Sequence, residues 1–522
     1  MNLIDDLWIP VVREDRKQYK IAPYQIVETD NPVIEISAPR PDFQGALYQF
    51  LIGLLQTVYA PEDQEKWLER WQQTPPVDEL KEAFSKVSEA FELTNPDGAA
   101  FMQDLDLNGA ESKNISGLLI EAPGGKTLKD NLDHFVKGGQ VNKICESCAA
   151  TALFSLQINA PSGGVGHRVS LRGGGPLTTL LKMSNHTGLW QNLWLNVMSK
   201  EEVDGTTSFD NSIFPWLAET RYSQKGEQTH PADVNELQMY WSMPRRIRLN
   251  FDEDEHSICD LCGSETSVSV CSYATKNYGT NYDGPWVHNL TPYKFDPKKE
   301  KIPLSIKGQQ GGLGYRHWLT LVWQDDDNGD RSARVVRSFN EEKSSDLDNE
   351  QMGLWCFGFD MDNMKARCWY EHQLPLLKIP KQQREPFIAF VCELLRVAKE
   401  AVKELRSHIK MAWFSRPKDA KGDMTLIDQS FWEATEQVFY QQLHNLSDIS
   451  ELRHFPPQVA KEWFYLVRGT SMMVFDEWVL ESCAEDLNMK RITAARRSLE
   501  KKLNNGKIFK NLKEKIKERE IV

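Results

Sequence analysis

The sequence predicts an α+β protein in two parts: a large mixed α/β N-terminal domain over residues 1–380, then an all-α C-terminal four-helix bundle over residues 381–522. Three observations carry this. The first 380 residues interleave short β-type runs, isolated helical stretches and glycine-rich loops. Two Cys-x-x-Cys pairs, Cys145/Cys148 and Cys259/Cys262, fall in that part, and a structural zinc takes two such pairs tetrahedrally. From about residue 380 glycine becomes scarce. Four segments there, 386–410, 428–446, 457–488 and 490–517, carry apolar residues at helical spacing, and short connections between them suit a bundle.

At 522 residues the chain is too long for one core, so two or three domains are expected. The sequence has no run of about 18 apolar residues to span a membrane. The start, MNLIDDLWIPVVRED, places acids where a signal peptide needs an apolar core; a cytoplasmic protein is expected. Nine cysteines, an odd number, disfavour a disulfide framework and favour reduced thiols with metal ligands. With 62 basic and 75 acidic residues the net charge is −13, which argues against broad phosphate-backbone binding. Nucleic-acid contact must come from local basic loops or be shared with partners.

In chain order, Leu7-Trp8-Ile9-Pro10-Val11-Val12 is a β-type run whose proline suits an edge strand. Residues 43–59 read as a buried helix and 62–93 as one or two surface helices. Residues 116–139 are loop-like. Gly125-Lys126-Thr127 in that loop is no phosphate-binding P-loop, because Ile120 stands where the motif needs a glycine. Phe135 is an aromatic in a polar loop: it either folds back onto the core or stacks on a partner.

The stretch from Cys145 to Pro176 holds most of the chemistry. After the cysteine pair, residues 148–158 read as a helix that stops before Pro161. A loop with six glycines and the basic side chains His167, Arg168 and Arg172 follows. Glycine lets backbone N–H groups approach a ligand, although a plain tight connection explains such a loop equally well. Residues 177–196 mix strand and helix, and 208–233 are irregular. Residues 244–249 form a basic strand leading to the second cysteine pair, and 267–273 alternate like a strand. Lys276 to Gly284, KNYGTNYDG, is either a solvated hairpin tip or a cation with aromatics reaching a groove.

The acidic run at 325–330 is a hairpin turn rather than a calcium loop, since Gln324 occupies the first ligand position. Residues 355–369 are a strand running into a turn, with Asp360, Asp362 and Asn363 between apolar residues. The last helix carries Arg491, Arg496, Arg497, Lys501 and Lys502, either as a solvated face or as a contact for an acidic partner.

A cytosolic Cys-x-x-Cys is also a redox motif, but no βαβ pattern surrounds either pair. Four cysteines in one site leave no open position, so a shared zinc is structural. Cys271, Cys356, Cys368, Cys392 and Cys483 are packing residues. No hydrolytic or kinase motif is present, which shifts weight toward a binding protein.

Together MNLIDDLWIPV, the two cysteine pairs, APSGGVGHRVSLRGGGP, GFDMDNMKARCWYE and the helical C-terminal part resemble the CasA family. These are the large subunits of the type I-E CRISPR surveillance complex, Cascade. The resemblance runs end to end in the same order. It implies a non-enzymatic subunit that reads the protospacer-adjacent motif (PAM) of foreign double-stranded DNA. Such a subunit helps open the duplex for the guide CRISPR RNA and recruits a helicase-nuclease, alongside the other Cascade subunits.

By position it implies a minor-groove loop at Ser162, Gly163, Gly164, Val165 and Gly166, where small residues permit close approach. A lysine finger falls at Asn277 with Lys276 adjacent, Lys276 being the expected cation. The wedge that splits the first base pairs falls at the turn holding Asn363 and Met364. Phe135 matches the aromatic that docks on the guide-RNA 5′ handle and a neighbouring subunit. The competing expectations are a zinc-stabilised nucleic-acid enzyme, with Asp360 and Asp362 holding a catalytic metal, and a purely structural scaffold.

Overall fold

The computed structural model describes residues 1–517 except 97, 108, 125–128, 131–137, 164–165, 185–187, 204–207, 299, 309–310, 326–328, 348–350, 363 and 482–487, and omits the side chains of 254, 255 and 325. The chain forms two compact units. One is Met1–Gly308 with Trp323–Gln373; the other is Gln309–Val322 with Leu374–Val522.

The first unit is organised around α1, Pro41–Val58, whose side chains from Phe43 to Thr57 are nearly all buried. A helix apolar on every side belongs inside a large core. Phe50 is the centre: its ring meets Trp8, Phe91, Phe101, Phe154 and Trp241 edge-on at 5.3–5.9 Å, the arrangement aromatic quadrupoles favour. Over 62–93, where one or two surface helices are expected, two short ones form, Gln64–Gln72 and Val77–Ser85.

The described residues form four sheets, three of them built from the longer strands. In the first, β1 (Ile9–Arg13) lies between β2 (Gln18–Ile21) and β3 (Val33–Ile36). The proline strand is therefore central, not at an edge. Pro10 is tolerated because pairing with β3 begins only at Val11, while the Pro10 carbonyl accepts the Ser37 N–H at 2.8 Å. In the second sheet, β7 (Arg246–Ile258) and β8 (Glu265–Lys276) form a long antiparallel hairpin. The other side of β8 pairs with β4 (Glu111–Asn114) and β5 (Ile144–Cys145). In the third, β6 (Thr178–Met183) pairs with β9 (Met352–Asp362), which pairs with β10 (Lys365–Leu376). Gln324–Asp325 and Asp330–Arg331 pair antiparallel, as expected of a hairpin.

A second buried helix, α2 (Glu146–Asn159), follows β5 directly and packs on α1 and β8. Its burial from Cys148 to Asn159 is continuous, and Ala160-Pro161 ends it.

The second unit is helical: α3 (Arg384–Trp413), α4 (Thr425–Ser447), α5 (Pro457–Leu480), α6 (Met489–Asn505) and α7 (Lys507–Lys517). Its core residues on α3, Phe387, Val391, Leu394, Ala398, Val402, Leu405 and Ile409 among them, recur at three- and four-residue spacing. The last expected helix breaks at Gly506, whose ψ of 146° is extended. Residues 309–322 complete this unit. The Tyr315 ring stacks 4.4 Å from Phe439, and Trp318 Nε1 donates to the Pro375 carbonyl at 2.8 Å. Arg491 donates to the carbonyls of Ala412 and Trp413 at the end of α3, satisfying acceptors that a helix C-terminus leaves open. No helix among the described residues is long and apolar enough to cross a membrane.

Phe50→Ala is expected to destabilise the first unit by about 3–5 kcal/mol, measured by urea unfolding followed through tryptophan fluorescence. An unchanged midpoint would remove Phe50 from its central place.

Candidate metal centre and nucleic-acid interface

The second cysteine pair sits at the tip of the β7–β8 hairpin. The Cys259 N–H donates to the Ser264 carbonyl and the Gly263 N–H to the Cys259 carbonyl, closing a tight knuckle. The first pair spans the junction of β5 and α2, with Cys145 on the strand and Cys148 in the first helical turn. Register brings them together, since Cys145 lies opposite Ser269 of β8. Asp260 clamps the junction: its Oδ2 accepts the N–H groups of Asn142 and Lys143, and its own N–H donates to the Lys143 carbonyl at 3.0 Å.

The four thiol sulfurs lie within 4.8 Å of one another, and Cys145 Sγ is 3.7 Å from Cys262 Sγ. That separation is far beyond a disulfide bond. It matches the ~3.8 Å edge of a tetrahedron with metal–sulfur bonds of ~2.3 Å. Hydrogen bonds from Cys145 and Cys148 hold the Cys262 thiol well below its ordinary range and bring Cys259 to about 6. Bonding to Cys145 and Cys259 raises Cys148. Neighbouring thiolates repel one another, so all four ionise together only around a cation. The donor set therefore fits one closed divalent site. Convergence of the two pairs disfavours a redox role for either alone.

From this junction α2 leads to the glycine loop and β8 leads to Lys276, and the two paths meet again. The Tyr278 N–H donates to the Gly166 carbonyl at 2.5 Å. Gly166 has φ +84°, and a Cβ there would lie 2.6 Å from Asn277 Cβ, so glycine is required twice over. Ser223 locks the contact: its N–H donates to the Tyr278 carbonyl and its Oγ to the Gly279 carbonyl, while it receives Arg168 Nε and Nη2 at 2.8 and 2.9 Å. Ser162 and Asn277 are exposed at this surface and Lys276 is half-buried. The far end of the glycine loop abuts β9, where Gly175 lies against Met361 and the Phe359 carbonyl. β9 and β10 run out to a tip where Met364 is 51% exposed.

A sequence model of the family described as CRISPR-associated protein Cse1 matches residues 2–473. The chain belongs to the Cse1 (CasA) family. Its fold is that of Thermus thermophilus CasA, with a TM-score of 0.71, 17% identity and coverage of 98% of this chain and 99% of that one. Thermobifida fusca Cse1 is similarly close, with a TM-score of 0.73, 15% identity and coverage of 99% and 98%. A chain of a structure titled a CRISPR RNA-guided surveillance complex matches with a TM-score of 0.69, 16% identity and coverage of 96% and 99%.

In this Cse1 chain several expected site residues do other work. Arg172 is 4% exposed. It donates to Thr178, Thr291, Gln49 and the Ile158 carbonyl, so it braces the core rather than offering charge to a ligand. Both Asp360 oxygens accept from Arg367, at 2.9 and 2.7 Å, so this buried carboxylate is already engaged in an ion pair with an exposed arginine. Arg246 is held by Asp104, and Arg496 by Asp476. His167 is pushed down to about 4 by burial, then by Arg245 and Lys113, and is neutral at pH 7. Phe135, Gly164, Val165, Asn363 and Cys483 lie outside the described residues. Ser223 and Arg245 escaped the sequence reading, although the basic run at 244–249 contains Arg245, and Tyr278 was read only as one aromatic of the 276–284 turn.

Two outcomes are expected. Elemental analysis of chain purified under reducing conditions should find one divalent ion per chain. Cys145→Ser and Cys259→Ser should lose it and melt at lower temperature, whereas Cys271→Ser should not. Because the His167 pKa is lowered from 6.5 to about 4, the unfolded chain takes up a proton that the folded chain refuses. Stability should therefore fall as pH drops from 6.5 toward 4. His167→Gln should narrow the difference between urea midpoints at about pH 7 and about pH 5.

Proposed function

We propose that this chain is the large subunit of a type I-E Cascade complex and reads the PAM of foreign double-stranded DNA. The observation that carries the reading is the meeting of three segments distant in sequence. The glycine loop touches both the 276–279 tip and the strand leading to the Met364 tip, through the Tyr278–Gly166 and Gly175–Met361 contacts.

In this reading the loop at Ser162, Gly163, Gly164, Val165 and Gly166 lies against the minor groove, where information is limited and shape counts. Lys276, or Asn277 beside it, reaches the base edges. Met364 and Asn363 form the wedge: an apolar side chain inserted at a base step unstacks it, which starts the opening that lets guide RNA pair. Phe135 docks the subunit on the guide-RNA 5′ handle and a neighbouring subunit. The helicase-nuclease is recruited to the assembled complex, and cleavage is left to it. The four-cysteine centre holds a structural Zn2+, which supplies no chemistry beyond fixing the junction. The net charge of −13 fits a subunit that adds a few local contacts while its RNA-bearing partners supply most of the electrostatic attraction.

The test is target binding by the reconstituted complex on duplexes with randomised bases beside the protospacer. Wild type should select a short flanking motif, and omitting this subunit should abolish the selection. Gly163→Asp should cost about tenfold or more in affinity for the selected duplex. Met364→Gly should slow opening of the first base pairs, read by 2-aminopurine fluorescence, with flanking-motif selection unchanged. Selection that persists without the subunit would return the scaffold reading to the front.

A further inference from the structure

Behind the glycine loop lies a cleft of about 250 Å³. Its floor is the β4–β8–β7 sheet, where Lys113 stands opposite Tyr273; its walls are the end of α2, Gly163 and His167. Arg245 reaches into it from the residue before β7. The Arg245 backbone N–H is fixed by Gln157 at 2.9 Å, and Nη2 donates to the Pro161 carbonyl at 2.5 Å. Its Nε is buried and has no hydrogen-bond partner. Among the described residues no carboxylate pairs with it, and burial, opposed only by Tyr273, lowers it to about 10. It thus remains a guanidinium at neutral pH, half-buried and without a counter-ion among the described residues. Buried charges are ordinarily paired.

Two further donors face the cleft. Lys113 stands at the cleft, 3.7 Å from the largely exposed Glu111. His167, neutral at pH 7, offers a ring N–H. We propose that this cleft binds a phosphate group, and that a backbone phosphate of the target DNA fills it. The second half rests on the PAM-reading role above. Arg245 supplies a planar fork for two phosphate oxygens, Lys113 adds charge at the mouth, and His167 donates a hydrogen bond.

The site is mechanically joined to the reading loop. A Cβ on Gly163 would lie 2.8 Å from His167 Cβ and 2.9 Å from Arg245 Nη1, so the loop rests directly on the guanidinium. Arg245 also holds the Pro161 carbonyl at the loop's entry. A phosphate that orders Arg245 therefore orders the loop, and groove reading and backbone contact become one event.

Two experiments decide this. The full chain is titrated with inorganic phosphate and followed by ³¹P line broadening. Saturable binding is expected, weakened about tenfold or more by Arg245→Gln and less by Arg245→Lys. Lys113→Gln, at the half-buried mouth of the cleft, should also weaken it while leaving the thermal melt of the chain intact, which separates lost charge from lost fold. Next, the reconstituted complex is given duplexes with a single neutral methylphosphonate at each linkage beside the PAM. One linkage should cost wild type about tenfold and cost the Arg245→Gln complex nothing further.

No saturable phosphate binding, or binding indifferent to both Arg245→Gln and Lys113→Gln, overturns the site. Arg245-dependent phosphate binding with no coupled linkage overturns the DNA assignment. If unmodified duplexes still show flanking selection in that case, PAM reading survives; if they show none, that reading fails too.

Discussion

The arrangement of the first unit depends on the junction of four cysteines, closed by Asp260. Two elements leave it side by side. Helix α2, at 14 residues, carries the chain about 21 Å to the glycine loop. Strand β8, from Ser269 opposite Cys145 to Lys276, covers about 23 Å before the Tyr278 turn. The two lengths match, so the loop and the tip arrive at the same level and can bond through Gly166 and Tyr278. A rise of about 1.5 Å per residue in one element and about 3.3 Å in the other means that an insertion in either would destroy the match. The four cysteine sulfurs, gathered within 4.8 Å of one another, mark the common origin from which both elements are measured out.

Charge is handled with similar economy. Several arginines of the chain are tied into the structure: Arg172 in the core, Arg246 with Asp104, Arg367 with Asp360, Arg496 with Asp476 and Arg491 on the end of α3. These side chains commit their donors inside the protein. Cations near the glycine loop are local: Lys276 at the tip, Lys307 beside Gly173, and Lys113 with Arg245 behind the loop. An acidic chain can engage nucleic acid in this way because Coulomb attraction is screened within roughly 8–10 Å. A few cations at the contact outweigh distant carboxylates.

Much was legible in the sequence because local pattern follows local geometry. The buried helix at 43–59, the long helices after residue 380 and the hairpin around 325–330 come from periodicity and turn chemistry, which neighbours in the chain decide. The cysteine pairs were legible as half-sites, because thiol spacing on a tight turn is a local property. Gly506 shows the limit of periodicity: the apolar repeat continues through it, while the backbone does not. Pro10 shows the limit of residue preference, since a strand can be central when its proline lies beyond the pairing on one side.

Sequence alone determined that two cysteine pairs, a glycine-rich loop and a set of long amphipathic helices exist, and its resemblance to a known family placed them in one order. Tertiary structure alone decided which pieces meet. It brought Cys145 to Cys262 through the register of β5 on β8, and Gly166 to Tyr278. It also put residues 309–322 with the helices, turned Arg172 into a core brace and left Arg245 half-buried with no carboxylate on it among the described residues. The physical reason is that partnership between side chains distant in sequence is set by strand register and packing, which no local pattern encodes.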